Sequence, residues 1–166
     1  MSVTFRVALD NDFVKPDGSS AWGDIGLSLL EEARGVEWRY LLEATREILP
    51  HQIRDDDALL ITGVPQVTRK TLEGAERLTI VARFGVGYDN VDVDACTDHG
   101  VILAITPDGV RRPVAAATLA FMLALAHKMF PKDRITRSGL WATKLDHIGM
   151  GLGGRVLGLI GLGNIG

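Results

Sequence analysis

Gly161, Gly163 and Gly166 follow the apolar run "RVLGLI" in the spacing G-x-G-x-x-G. At that spacing the first glycine permits a tight turn and the second lets a pyrophosphate approach the backbone. The third lets a helix pack closely on the preceding strand. Amides at the start of such a helix hold phosphate oxygens. Glycines also gather in ordinary turns, and the strand-like run before these three is what favours dinucleotide binding. A second pair, Gly85 and Gly87, flanks Val86 in "ARFGVGYDNVD", again after an apolar run. Successive N–H groups in such a turn make an anion-binding concavity, the alternative being a plain strand-to-helix turn.

The remaining reactive side chains are scattered. His51 sits beside Pro50 in a polar turn, and His99 precedes the helix stop Gly100. His127 ends a long helical run, where a cation suits the helix dipole, and His147 lies in a glycine-rich loop. All four read as structural. Arg83, just before "FGVG", is expected to form a salt bridge at a strand end, with an orienting role toward an anion as the alternative. Cys96 has acidic neighbours in a helical segment, which disfavours a thiolate. No catalytic residue and no metal site are assigned.

Composition narrows the class. The 166 residues are 46% hydrophobic and 23% charged, with a net charge of −3, values of a chain able to bury a core. No basic run marks a nucleic-acid surface: the segment Lys128 to Arg137 is interrupted by Pro131 and Asp133 and reads as a solvated loop. A lone cysteine fits a reducing compartment. The start "MSVTFRVALD" lacks the basic and apolar regions of a secretory signal, so a cytoplasmic location is expected. The longest apolar stretch, "PVAAATLAFMLALAH", is about 14 residues against the ~20 of a membrane span, so no membrane partner is expected.

These groups must be positioned by alternating elements. "TFRVALD", "VEWRYL", "DALLITG", "TIVARFG" and "VILAIT" read as strands. "DIGLSLLEEARG" has helical spacing, with Ile25, Leu29 and Ala33 on one face and Gly35 as its stop. "EATREILPHQI" is a helix-like piece broken by Pro50. "TRKTLEGAERL" is a short helix with Thr68 as cap, and "DNVDVDACTDHG" another, capped by Asn90 or Asp89. The alternation predicts an α/β fold with a doubly wound, mainly parallel sheet over residues 1–105. "RRPVAAATLAFMLALAHKM" is a long helix, apolar nearly all round, that must be covered on most sides. After a loop, "RVLGLI" is expected to be a strand with neighbours on both sides.

"ARFGVGYDNVD", "GVILAITPDGVRRPVAAATLAFMLAL", "RSGLW" and "GGRVLGLIGLGNIG" stand in the order and spacing of the D-isomer-specific 2-hydroxyacid dehydrogenases, which the chain resembles from about Leu59 to Gly166. The resemblance implies a longer enzyme in which a flavodoxin-like substrate domain is interrupted by a Rossmann domain. Residues 106–166 would then be the interdomain helix and the start of that NAD-binding domain, cut at the glycine turn. It implies Gly161, Gly163, Asn164, Ile165 and Gly166 around the NAD pyrophosphate, with NADP left open. Val86 would lie on the nicotinamide side, and Gly85, Val86 and Gly87 would meet the carboxylate of a small 2-hydroxy or 2-keto acid. The family's base (a histidine), its acidic partner and its substrate arginine fall after the glycine turn, so this N-terminal fragment is expected to be inactive. A homodimer is implied, with the long helix contributing to the contact. An NAD-sensing corepressor on the same fold is the alternative. Two departures stand out: Ala116 replaces a glutamate usual in the family, and the loop "TGVPQV" lacks the arginine of members acting on phosphorylated acids.

Overall fold

Five apolar runs in the first part of the chain become parallel strands: β1 (Phe5–Leu9), β2 (Val36–Tyr40), β3 (Ala58–Ile61), β4 (Ile80–Arg83) and β5 (Ile102–Ile105). In the computed structural model, which describes residues 4–166, they form one sheet in the order β2-β1-β3-β4-β5. Val7 of β1 pairs with Trp38 on one side and Ala58 on the other, and Leu60 of β3 with Ala82. This is the flavodoxin-like order, in which the winding reverses between β1 and β3. The expected doubly wound parallel sheet is therefore formed. The chain divides into two compact units, Met1–Pro107 and Asp108–Gly166.

Strand alternation sends neighbouring side chains to opposite faces. Ala8, Leu59, Ile61 and Val81 pack on one face with Ile53, Val67, Leu72 and Ala95. Val7, Leu9 and Ala58 pack on the other with Phe13, Ile25 and Leu27. β1 and β3 thus bury both faces, as apolar runs without polar alternation require.

The first unit's helices are short: α1 (Ser28–Glu32), α2 (Pro50–Ile53), α3 (Arg69–Leu72) and α4 (Val93–Asp98). α1 is shorter than its sequence pattern, because Gly26 and Gly35 both adopt positive φ and bound it. The expected face of Ile25, Leu29 and Ala33 is not formed: Leu29 is exposed, and Ile25, Leu27 and Leu30 face the core instead. Pro50 starts α2 rather than breaking a helix, since the first helical position needs no N–H donor. Thr68 precedes α3 as expected, its N–H donating to Thr71 Oγ1 at 3.0 Å. α4 is capped by Asp92, which accepts from the Ala95 N–H at 2.8 Å, and not by Asn90 or Asp89.

The second unit contains α5 (Pro107–Ala126) apart from its first residue, α6 (Met129–Arg137) and a 3-10 segment, Trp141–His147. The expected loop at Lys128–Arg137 is mostly helix. Pro131 falls in its first turn, where no intrahelical donor is needed. Lys128, at φ 55°, turns the chain between α5 and α6. α5 has 20 residues, more than its apolar run, and by length and composition alone could cross a membrane. Its expected covering is not found: Leu119, Phe121 and Leu125 are exposed, and Ala124 is the buried residue of the helix. The expected strand at Arg155–Ile160 is likewise not formed. Val156 and Ile160 are almost fully exposed, and a strand needs neighbours to pair its N–H and C=O groups.

Asp57 ties the beginnings of three strands together. Its carboxylate accepts the Arg6 N–H at 2.8 Å and Arg77 Nη2 at 2.9 Å, and its carbonyl accepts the Thr79 N–H at 2.8 Å. Burial pushes this carboxyl up, but the bonds from Arg77 and Arg6 and the attraction of both arginines outweigh it. The group is held below the usual carboxylate range. A lowered folded-state value contributes stability that is complete above the ordinary aspartate pKa and lost as pH falls through the lowered one. Asp57→Asn is expected to cost roughly 1–3 kcal/mol in urea unfolding near neutral pH. The gap from the parent should close on acidification below about pH 4; a gap independent of pH would contradict this role.

Candidate functional site

The strands deliver two loops to the carboxyl edge of the sheet: Thr62-Gly63-Val64-Pro65 after β3 and Phe84-Gly85-Val86-Gly87 after β4. Arg83, the last residue of β4, folds its guanidinium between them. A Cβ on Gly85 would lie 1.6 Å from Arg83 Nη1 and 2.7 Å from its Cζ, and one on Gly63 would lie 2.6 Å from Nη2. Gly85 also has φ +141°, a conformation that side chains resist. Gly85 is required by that backbone conformation, and a Cβ at either position would have to displace the guanidinium. Arg83 Nη1 donates to the Phe84 carbonyl, while its Nε is buried without a partner. The expected salt bridge at this strand end is not made: among the described residues no carboxylate lies within ion-pair distance of Arg83.

Phe84 anchors the same turn through its ring. Its ring meets Phe13 edge-on at 5.6 Å and Trp22 at 5.7 Å, and Trp22 Nε1 donates to the Asp12 carbonyl at 3.0 Å. The Phe84 N–H donates to Ile61 O, and Gly85 O accepts from the Thr106 N–H, each at 2.8 Å. Beyond these ties Val86 and Gly87 are exposed. Their N–H groups make no hydrogen bond within the described residues. Asn90, expected to cap a helix, staples this loop to its neighbour, with Nδ2 donating to Thr62 O at 3.2 Å and Pro65 O at 2.7 Å.

Residues that the sequence reading missed complete the edge. Asp10, after β1, is buried and accepts from the Thr62 N–H at 2.5 Å, Thr62 Oγ1 at 3.0 Å and the Asp12 N–H at 2.8 Å. Burial pushes its carboxyl up despite those bonds, and the nearby Asp12 charge adds to the rise. The detectable signal was position: each is the first polar residue after an apolar strand. Two clefts open here. One, of about 270 Å³, is lined by Asp10, Asp12, Glu43, Thr45 and Val64, among others. The other, about 320 Å³, is lined by Gly63, Arg83, Gly87, Asp89 and Asn90, and Arg46 borders both.

The other reactive groups lie outside both clefts. His51 is 3.4 Å from Glu43 Oε2, and His99 ends α4 with its N–H bonded to Ala95 O at 3.1 Å. The His127 N–H donates to Leu123 O at 3.0 Å, and His147 closes the 3-10 segment. Cys96 is buried, and burial, with Asp92 nearby, pushes its thiol up. Among the described residues no His, Cys, Asp and Glu side chains cluster to hold a metal.

In the second unit the terminal glycines form a closed turn. Gly161 has φ +85°. A Cβ on Gly166 would lie 2.8 Å from Gly161 O and 2.9 Å from Leu162 Cα, so only glycine fits where the chain folds back. Gly163 is open on its Cβ side. Asn164 Oδ1 accepts from Arg111 Nη1 at 3.2 Å, and Ile165 is exposed. Gly161, Gly163, Asn164, Ile165 and Gly166 are thus brought together in one unit, and Gly85, Val86 and Gly87 in the other.

The packing of Arg83 can be checked directly. Gly85→Ala is expected to destabilise the chain by roughly 1–3 kcal/mol, from the strained φ and the displaced guanidinium. Adding Arg83→Ala should recover part of that loss in a double-mutant cycle. Strictly additive losses in thermal unfolding would refute the contact.

A family model described as "D-isomer specific 2-hydroxyacid dehydrogenase, catalytic domain" matches residues 19–147. The glyoxylate reductase of Thermococcus onnurineus is 34% identical over 148 residues, covering 85% of this chain and 44% of that protein. The D-3-phosphoglycerate dehydrogenase of Methanocaldococcus jannaschii is 39% identical over 140 residues, covering 84% and 26%. The crystal structure of NAD-dependent formate dehydrogenase from Staphylococcus aureus in complex with NAD superimposes with a TM-score of 0.68 at 25% identity, covering 90% of this chain and 45% of that one. The chain spans less than half the length of these curated relatives. With its flavodoxin-like sheet and its glycine turn after β4, the chain belongs to the D-isomer-specific 2-hydroxyacid dehydrogenase family.

Proposed function

We propose that this chain is the N-terminal portion of an oxidoreductase that transfers a hydride between NAD(H) and a small 2-hydroxy or 2-keto acid. The observation that carries the reading is the pair of free N–H groups at Val86 and Gly87, presented by a turn fastened on both sides by Arg83 and Phe84. Two fixed amide donors suit a carboxylate and hold the neighbouring C2 in one orientation, which lowers the entropy cost of reaction. Arg83 adds positive charge beside them. In this reading Gly85, Val86 and Gly87 bind the substrate, and Val86 also meets the nicotinamide.

Residues 106–166 are read as the beginning of the coenzyme domain. The positive φ of Gly161 and the close approach at Gly166 fit the pyrophosphate turn, with Asn164 and Ile165 beside the phosphates. NAD(H), when bound, supplies or accepts the hydride. The choice between NAD and NADP rests on an acidic or basic residue about 20 positions after the turn. The proton-transfer base is assigned to none of His51, His99, His127 and His147. The exposed Leu119, Phe121 and Leu125 on α5 support a subunit contact in a homodimer of the longer protein.

The test is NADH oxidation with glyoxylate, hydroxypyruvate and pyruvate. A protein carrying this chain at the full length of its relatives is expected to turn over at least one of them, and the 166-residue chain none. NADH binding by the longer protein without turnover of any keto acid would refute the proposal.

A further inference from the structure

Trp22, in the connection between β1 and α1, is exposed and belongs to neither apolar core, yet it is held from several directions. Before it the chain closes a small loop: Val14 and Ser20 form an antiparallel bridge, and the Ala21 N–H donates to Phe13 O at 2.9 Å. The Trp22 N–H donates to Ser20 Oγ at 3.3 Å, and Ser20 Oγ donates to Gly23 O at 2.7 Å. The indole Nε1 donates to Asp12 O at 3.0 Å. The ring held in this way meets Phe84 edge-on at 5.7 Å. Phe13, the other aromatic against Phe84, is fully buried in the core. Past Phe84 the turn has few ties. Gly85 O accepts from the Thr106 N–H, and among the described residues the next bonded backbone group is Tyr88 O, which accepts the Val91 N–H at 2.9 Å. Gly85 and Gly87 have no side chain to lock the segment between these ties, and Val86 is exposed.

We propose that Trp22 is a positioning residue: acting through Phe84, it holds the Val86 and Gly87 amides in the orientation that receives a carboxylate. The inference rests on the carboxylate seat proposed above and adds a residue, from a loop three strands away in the sequence, that sets its affinity. Donors whose directions are fixed beforehand bind more tightly, because ordering them on binding costs conformational entropy. An edge-to-face aromatic pair stabilises beyond the area it buries. Phe13 and Trp22 together confine the Phe84 ring at two points. With Phe13 alone the ring is free to rock toward solvent. That motion passes into the peptide groups that follow, because a glycine at position 85 resists it least.

The test uses this chain, labelled for amide-resolved NMR and titrated with oxamate, beside Trp22→Ala and Trp22→Phe. In the parent, oxamate is expected to shift the Val86 and Gly87 amides. Trp22→Ala should weaken that binding about fivefold, the worth of one edge-to-face pair. It should also lower the order parameters of those two amides while Leu59 and Val81, inside the sheet, keep theirs. Trp22→Phe keeps a ring against Phe84 and should restore most of the affinity. In a Phe84→Leu background Trp22→Ala should change neither amide further. Should Trp22→Ala not fold, Trp22→Leu takes its place on the same readouts. A role in stability alone would lower the melting temperature and leave amide order and oxamate affinity at the parent's values. That result would overturn the inference and leave the carboxylate seat standing. Oxamate absent from both amides in the parent would overturn the seat. Lowered order at those amides in Trp22→Ala would then still uphold the hold of Trp22 on the turn, and unchanged order would overturn it.

Discussion

The position of one guanidinium governs the carboxyl edge of this sheet. The Arg83 guanidinium occupies the space that a Cβ on Gly63 or Gly85 would enter, and Gly85 also holds a φ of +141°. Among the described residues Arg83 makes no ion pair, and its Nε has no hydrogen-bond partner. It shares the cleft beside Gly87 with Asp89, whose Oδ2 would lie 3.8 Å from a Cβ on Gly87. The start of the turn after β4 is tied down without any ligand, with Phe84 packed on Phe13 and Trp22 and Gly85 bonded to Thr106.

Rigidity at this edge depends on the register of the sheet. β3 and β4 pair from Ala58–Ile80 to Ile61–Arg83, so their following loops leave the sheet side by side. Asn90 closes the gap with two bonds to the backbone after β3, and Asp10 does the same between the loops after β1 and β3. At the opposite edge Asp57 joins the starts of β1, β3 and β4. The polar ties lie at the two ends of the strands and the apolar core between them. The carboxylate seat proposed at Val86 and Gly87 would gain from this arrangement, because backbone amides cannot adjust individually.

Much of this was legible in the sequence. Apolar runs without alternation announced buried parallel strands, while α1 ends at Glu32, short of the expected stop at Gly35. Glycines 85 and 87 marked the turn after β4. Less legible was anything set by a distant partner. Asn90 lies before a helix like a cap, yet its amide bonds to a loop 25 residues away at Pro65. Among the described residues Arg83 makes no ion pair and lies against Gly63 and Gly85 instead. Pro50 looked like a breaker and is a helix start. The run Arg155–Ile160 has the composition of a central strand but no paired neighbour in the second unit, and composition alone does not supply one. The sheet order, which places Arg46 beside the loop after β3, was equally beyond local reading.

The central claim is that the Val86 and Gly87 amides receive the carboxylate of the acid. A crystal structure of this chain grown with oxamate, a 2-keto acid mimic, tests it most directly. The account predicts a carboxylate oxygen within hydrogen-bond distance of both N–H groups, with Arg83 still lodged against Gly63 and Gly85. Oxamate bound elsewhere on the chain, with those two amides solvated, would contradict it.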